Sequence, residues 1–147
     1  MGLPLLFRLD VIHGYRTVYP PPALAEAGTF NPDLMKKTAR MAARESHSGG
    51  VAWHFAPMVD IARDARWGRV SEGGRDYNTV NMAMSLFYNV YLRPFQAAVR
   101  SGAQTAMAAF NDSNGVPCTV NKFLLREVLK DTLGLPGFVV SDANAIK

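Results

Sequence analysis

Four polar residues follow short apolar runs, at positions where predicted strands end. They are Asp10, Asp60, Asn111 and Asp142. The carboxyl ends of parallel strands open on one face of a sheet, which is where α/β enzymes build their sites. For any single position, capping the following turn is the more ordinary role for such a side chain. The repetition after four runs favours a shared site, so we expect the four strand ends to converge on one mouth.

Carboxylates, amides, arginines and aromatic rings make up this candidate site. Carboxylates accept hydrogen bonds from hydroxyl pairs, guanidinium groups donate to hydroxyl oxygens, and aromatic faces cover the apolar faces of sugars. A carbohydrate is therefore the ligand class that these residue types suit best. Retaining cleavage of a glycoside needs one carboxylate as nucleophile and a second acid group about 5 to 5.5 Å away as proton donor.

Other chemistries fit less well. His13, His47 and His54 have no metal-ligand spacing with one another or with Cys118, so we interpret each as a hydrogen-bonded structural histidine and expect no metal or cofactor. Ser141 lacks the flanking glycines of a hydrolase nucleophile elbow. The sequence also has no phosphate-binding loop of the G-x-x-x-x-G-K-[ST] type.

Short apolar runs alternate with stretches of helical spacing, which indicates βα units and a parallel sheet. Strands are predicted at 3–9, 51–55, 106–110 and 138–140. Helices are predicted from Asn31-Pro32 onward, at about 82–100, and after Asn121 up to Gly134. In the first helix, the basic residues Lys36, Lys37, Arg40 and Arg44 share one side, and a solvated face is their simplest interpretation.

Size and charge narrow the class of protein further. The chain has 147 residues, 48% of them hydrophobic, a net charge of +4 and one cysteine, which together indicate a globular domain without internal disulfides. The positive charge is too small and scattered to indicate a nucleic-acid partner. No run approaches the roughly 20 apolar residues of a membrane span, and the N-terminal residues do not resemble a signal peptide.

Five long motifs carry a family resemblance. They are PLLFRLDVIHGYRTVYP, FAPMVDIARDARWGR, GGRDYNTV, AFNDSNGVP and GFVVSDANAIK. In this order they resemble the N-terminal (β/α)8 domain of family 3 glycoside hydrolases, in particular bacterial periplasmic β-glucosidases. The resemblance covers essentially the whole chain. It implies a retaining β-glucosidase activity on terminal β-D-glucosyl residues.

The resemblance also implies roles for individual residues. Asp142 falls on the catalytic nucleophile and Asp10 on the carboxylate that binds sugar hydroxyls. Arg69 falls on the sugar-binding arginine, with Glu72 expected as its ion-pair partner. Met107 and Phe110 fall on residues that line the same pocket. Without the resemblance, Asp10 would be interpreted as a turn cap, Arg69 as a salt-bridge partner and Phe110 as a core residue.

Three departures from the family pattern set the remaining expectations. The family's Lys-His pair is absent and Glu72-Gly73 runs straight into Gly74-Arg75, so we expect an internal deletion near 72–75. A complete (β/α)8 barrel needs roughly 250 residues, whereas this chain has 147. We therefore expect a single incomplete domain over 1–147. Its predicted fold is α/β, a partial (β/α)8, TIM-type barrel with about half the usual units. Ala143 stands where relatives carry a larger residue, so poorer recognition of the leaving group is expected.

The family's acid/base residue has no counterpart in the chain. Asp112, Glu72 and Asp60 are the substitutes that the motifs offer. The alternative function is therefore a non-catalytic or vestigial sugar-binding fragment. Exposed sheet edges predict a homo-oligomer. The expected partner is a β-glucoside or oligosaccharide, with no nucleic acid or membrane. The cellular compartment is not determined by the sequence, since the N-terminal residues do not resemble a signal peptide although relatives are often periplasmic or secreted.

Overall fold

The structure, a computed structural model, describes residues 5–16, 23–59 and 79–146. The chain divides into two compact units, Met1–Met58 and Val59–Lys147. Each unit combines helices with short parallel strands. This organisation agrees with the α/β class predicted from the alternation of apolar runs and helical spacing.

The first unit contains two strands and two helices. They are β1 (Arg8–Leu9), α1 (Ala23–Gly28), α2 (Pro32–Ser48) and β2 (Trp53–His54). The strands β1 and β2 are parallel, and Leu9 lies opposite His54. Both strands are shorter than the apolar runs at 3–9 and 51–55, since an apolar run marks residues that can be buried, whereas a strand also needs a hydrogen-bonded neighbour.

Helix α2 begins where the sequence predicts. The Asn31 side-chain oxygen accepts hydrogen bonds from the backbone N–H groups of Asp33 (3.1 Å) and Leu34 (3.3 Å), and Pro32 occupies the first helical position. The prediction of an asparagine cap is therefore confirmed. The four basic residues of this helix are exposed, as a solvated face requires. They are Lys36, Lys37, Arg40 and Arg44.

A hydrogen bond between the buried Ser46 and the half-buried His54 joins α2 to β2. The Ser46 hydroxyl is 0% exposed, donates to the Ala42 carbonyl oxygen at 2.8 Å and lies 2.9 Å from His54 Nε2. A hydroxyl has one proton, and when it is given to the carbonyl, His54 Nε2 is the donor of the second bond. His54 is therefore a hydrogen-bonded structural residue, as expected from its isolation in the sequence.

The second unit contains the remaining elements. They are β3 (Thr79–Val80), α3 (Met84–Leu86), the π-helical turn π1 (Phe87–Tyr91), α4 (Leu92–Arg100), β4 (Ala106–Ala108), β5 (Asp112–Ser113), β6 (Val116–Pro117), the π-helix π2 (Phe123–Thr132) and β7 (Val139–Ser141). One sheet has the order β3-β5-β6, and the other pairs β4 with β7.

The two helical stretches of this unit confirm the predicted helices and add wide turns. The Leu92 N–H donates to the Phe87 carbonyl oxygen, five residues earlier, just before Pro94 removes a backbone donor from the first turn of α4. Prolines and wide turns of this kind are both places where helices bend. At the end of π2, the Leu133 N–H likewise donates to Val128, and Gly134 ends the helix at φ 76°.

A tight hairpin joins β5 and β6. Asn114 and Gly115 form its two-residue loop with φ values of 52° and 83°, both in the left-handed region that a type I′ turn needs. The Asn114 amide also bonds the Met82 backbone, accepting from its N–H at 2.7 Å and donating to its carbonyl at 3.2 Å. The predicted turn is confirmed, and these two bonds tie it to the chain ahead of α3.

Candidate functional site

The pairing of β4 with β7 sets the position of Asp142. The two strands are parallel, with Met107 opposite Val140 and Ala108 opposite Ser141. Asp142 follows β7 directly, so it leaves the sheet at the same level as Ala109 leaves β4. Phe110 therefore lies just beyond the carboxyl end of β4, and Asp142 lies just beyond the carboxyl end of the adjacent strand β7.

The backbone around Asp142 turns sharply. The half-buried Asp142 side chain accepts a hydrogen bond from the Ala143 N–H through Oδ1 at 2.7 Å. The backbone carbonyl oxygen of Asp142 accepts a hydrogen bond from the Ala145 N–H at 3.2 Å, and Asn144 has a left-handed φ of 55°. These two bonds hold the carboxylate at the strand end and restrict its rotation.

The approach to β7 is unusually close at Gly137. Its N–H donates to the Gln104 carbonyl oxygen at 3.0 Å, and a Cβ added at this glycine would clash with that same oxygen. The Ala106 N–H then donates to Phe138 at 3.3 Å, the first step of the ladder that pairs β4 with β7. Glycine is therefore required at this position for the two strands to meet in the observed register.

Three further residues extend from β4. Met107 and Phe110 are half-buried, whereas Asn111 is only 4% exposed. The Asn111 carbonyl oxygen accepts from the Cys118 N–H at 3.0 Å, which closes the loop that carries the β5–β6 hairpin. The structure thus places Met107 within β4 and Phe110 just beyond its end, next to β7, the strand that Asp142 follows.

The Asp112 side chain forms hydrogen bonds within the sheet β3-β5-β6. Its Oδ2 accepts from the Thr79 hydroxyl at 2.9 Å, and its Oδ1 accepts from the Gly115 N–H at 3.4 Å. Both oxygens are thus engaged in the sheet β3-β5-β6, which gives this carboxylate a structural role. Burial, and secondarily the charge of Asp112, raise the pKa of the Cys118 thiol to about 11.

In the first unit, Asp10 lies directly after β1 and is exposed. The residue before it is fixed by the strand pair, because the Leu9 carbonyl oxygen accepts from the Phe55 N–H at 3.1 Å. The residue after it, Val11, is 8% exposed and has a φ of 54°. Sequence reasoning missed this left-handed valine, because β-branched residues rarely adopt that conformation and nothing in the letters signals it.

The remaining candidates fall elsewhere. Arg69, its expected partner Glu72 and Asp60 lie outside the described residues. Across 5–16, 23–59 and 79–146, no group of three or more His, Cys, Asp or Glu side chains is arranged to hold a metal ion. In the same residues, no helix has the length and apolar character needed to cross a membrane.

Comparison with known proteins defines the class. The model of the family described as "Glycosyl hydrolase family 3 N terminal domain" matches residues 1–77 and 69–147. Together these matches cover the whole chain. The chain belongs to glycosyl hydrolase family 3, a family of glycoside hydrolases, and its sequence corresponds to the N-terminal domain.

Individual relatives agree with this assignment. The chain is 34% identical to the "Periplasmic beta-glucosidase" of Salmonella typhimurium, over 100% of this chain and 25% of the relative. It is 34% identical to a "Beta-xylosidase" of Formosa agariphila, over 99% of this chain and 28% of the relative. The crystal structure of the Listeria innocua β-glucosidase in complex with glucose matches with a TM-score of 0.90 and 33% identity, over 98% of this chain and 26% of that one. The chain thus spans about a quarter of the length of the relatives it matches.

Proposed function

We propose that this chain acts on terminal β-D-glucosyl residues as a retaining glycoside hydrolase, with Asp142 as its nucleophile. The observation that carries the proposal is the position of Asp142 at the carboxyl end of β7, level with the end of β4, in a chain of the glycosyl hydrolase family 3. The relatives named β-glucosidase and β-xylosidase support a β-linked sugar as substrate.

The proposed reaction has two steps. The Asp142 carboxylate attacks the anomeric carbon, the bond to the leaving oxygen breaks, and a covalent glycosyl-aspartate forms. Water then attacks the same carbon, releases the sugar with its original anomeric configuration and restores the carboxylate. The proposal assigns no residue of this chain to protonate a poor leaving group, and activated aryl glucosides are the substrates that need such protonation least.

In this proposal Asp10 and Arg69 bind sugar hydroxyls, while Met107 and Phe110 line the pocket. A carboxylate and a guanidinium supply acceptors and donors for adjacent hydroxyl groups, and apolar side chains cover the sugar's C–H faces. The exposed Asp10 carboxylate after β1, the half-buried Met107 within β4 and the half-buried Phe110 just after it support these roles.

We further propose that the domain is a partial TIM-type barrel with an internal deletion near 72–75. The two matches to the family overlap at residues 69–77. The alignment to the Salmonella relative occupies 192 positions for a chain of 147 residues, which leaves 45 positions of that relative without a counterpart here. Both observations support the loss of one βα segment at this point. The name of the Salmonella relative, a periplasmic β-glucosidase, supports a periplasmic setting.

The second candidate is a sugar-binding fragment without catalysis. The absence of the family's Lys-His pair from the sequence favours it, and a chain that supplies no positioned proton donor typically loses about 10²- to 10⁴-fold in rate. Asp112 supports this candidate as well, since the structure engages both of its oxygens within a sheet.

A covalent trap separates the two candidates. With 2,4-dinitrophenyl 2-deoxy-2-fluoro-β-glucoside, the proposed enzyme releases dinitrophenolate once and gains the mass of one fluoroglucosyl group on the peptide that contains Asp142. D142N gains no such mass, while D131N, which removes an exposed carboxylate on π2, behaves like the unchanged chain. A chain that binds glucose but is never labelled is the sugar-binding fragment; a chain that does neither contradicts both candidates.

A further inference from the structure

The backbone at Val11 is unusual for its residue type. Its φ of 54° lies in the left-handed region, where a β-branched side chain crowds its own backbone. Val11 is nevertheless 8% exposed, so the side chain is held inside the protein. A residue keeps such a conformation only where its surroundings impose it, and strained backbone of this kind tends to lie at sites that need a fixed geometry.

Both neighbours of Asp10 are held in place, and we call these two fixed residues its anchors. On one side, the Leu9 carbonyl oxygen accepts from the Phe55 N–H at 3.1 Å. On the other side, the buried Val11 starts a turn in which its carbonyl oxygen accepts from the Gly14 N–H at 3.3 Å. Asp10 lies between the anchors and has an exposed side chain. Its backbone therefore has little freedom, although its carboxylate faces solvent.

We propose that Val11 is a positioning residue: its buried side chain and left-handed backbone hold the Asp10 carboxylate at a fixed place beyond β1. The role of Asp10 in sugar binding rests on the proposed function, whereas the coupling of Val11 to Asp10 rests on the described contacts alone. Val11 touches no substrate in this proposal. It acts only by limiting the conformations that are open to its neighbour.

The chain offers a matched control. Phe30 has almost the same backbone conformation, with a φ of 52°, but its side chain is 93% exposed and lies apart in sequence from every candidate site residue. Glycine at either position removes the same crowding. Only the change at Val11 also removes a buried anchor next to Asp10, so the difference between the two variants isolates the positioning effect.

The first measurement needs no ligand. We expect the steady-state ¹H–¹⁵N nuclear Overhauser effect at the Asp10 amide to fall in V11G and in the milder V11A, from a value typical of ordered backbone to one typical of a mobile loop. It stays unchanged in F30G, and V11I, which keeps a branched apolar anchor, preserves it. Equal values at Asp10 in V11A, V11I and the unchanged chain overturn the proposal, whatever the sugar-binding result.

The second measurement uses glucose. The same V11A change is expected to weaken glucose binding, followed by NMR titration, by at least about tenfold, because small displacements of positioned groups carry large losses. F30G binds like the unchanged chain. Loss of order at Asp10 in a chain that never binds glucose supports the positioning role and contradicts the proposed function. Full glucose affinity in V11A contradicts the positioning role alone.

Discussion

Cys118 and Asp112 show how burial and charge combine at a single side chain. The thiol is half-buried just beyond the β5–β6 hairpin, and desolvation is the larger cause of its raised pKa, with the Asp112 carboxylate adding to it. Both effects disfavour the thiolate, which is the reactive form. We therefore expect the lone cysteine of the chain to resist alkylation and oxidation while the domain is folded.

This protection can be measured directly. At pH 8, a thiol with a pKa of about 11 holds far less thiolate than one at the ordinary value of 9.0, so iodoacetamide should modify folded Cys118 roughly 100-fold more slowly than the unfolded chain. D112N should react faster than the unchanged protein yet remain slower than the unfolded chain, because burial persists. Mass spectrometry of the single thiol follows both rates.

The matched control is D131N, which removes an exposed carboxylate that pairs with Arg126 at 3.7 Å. It should leave the alkylation rate unchanged. A D112N protein that reacts no faster than D131N would show that the carboxylate does not act on this thiol.

At the scale of elements, the junction of α2 with β2 depends on the Ser46–His54 hydrogen bond. S46A removes the fully buried Ser46 hydroxyl and leaves the half-buried His54 Nε2 without this partner, which should lower the free energy of unfolding by about 1–3 kcal/mol. Chemical denaturation followed by circular dichroism measures the change.

Ser48 provides the comparison on the same helix. Its hydroxyl also bonds a backbone carbonyl, that of Arg44 at 2.9 Å, but the side chain is exposed. S48A should change the free energy of unfolding by no more than about 0.5 kcal/mol. Similar losses in the two variants would mean that burial of the Ser46–His54 bond carries no special weight.

The elements that the sequence predicts well are those with local signals. Asn31 and Asn121 each cap a helix through their side-chain oxygens, and Asn114 forms a hairpin loop with Gly115. Each signal lies within a few residues of the structure it specifies, so the local sequence is enough to predict that structure. The four predicted strands were all found. Three have shorter bounds and the last is shifted by one residue, because hydrogen-bonded partners come from distant parts of the chain.

The features that escaped prediction depend on such distant partners. The two-residue strand β3 exists only because Thr79 and Val80 pair with residues 33 positions further on. No local sequence pattern signals the left-handed backbone at Val11. At the candidate site, residue types and the family resemblance supplied Asp142 and Asp10, whereas the turn that restricts Asp142 and the dual engagement of Asp112 came from the structure.

At the scale of the whole molecule, large apolar side chains remain on the surface. Among the residues that the structure describes, the most exposed are Phe30 (93%), Leu5 (78%), Val120 (69%), Ile146 (68%) and Phe7 (63%). Leu5 and Phe7 precede β1 directly. Exposed apolar side chains beside a short strand are the kind of surface that other chains cover, since its backbone groups and apolar area both gain from pairing.

We therefore expect self-association, with Leu5 and Phe7 contributing to the contact. Sedimentation velocity over a range of protein concentrations should show species larger than the monomer, and the double variant L5T/F7T should shift the distribution towards the monomer. V120T serves as the comparison at an exposed apolar residue away from β1. A cooperatively folded monomer at every concentration would contradict the expectation.

The glycine at position 137 extends the functional part of the chain beyond the residues that could touch a sugar. A ladder of three residue pairs holds β4 against β7, and a displacement of one residue would point every side chain of β7 the opposite way, Asp142 included. A single methyl group at Gly137, five residues before the carboxylate, is enough to forbid the observed alignment. Sequence surveys that score only acids, bases and sugar contacts would therefore class as intact a domain whose proposed nucleophile had been turned away by one added carbon atom.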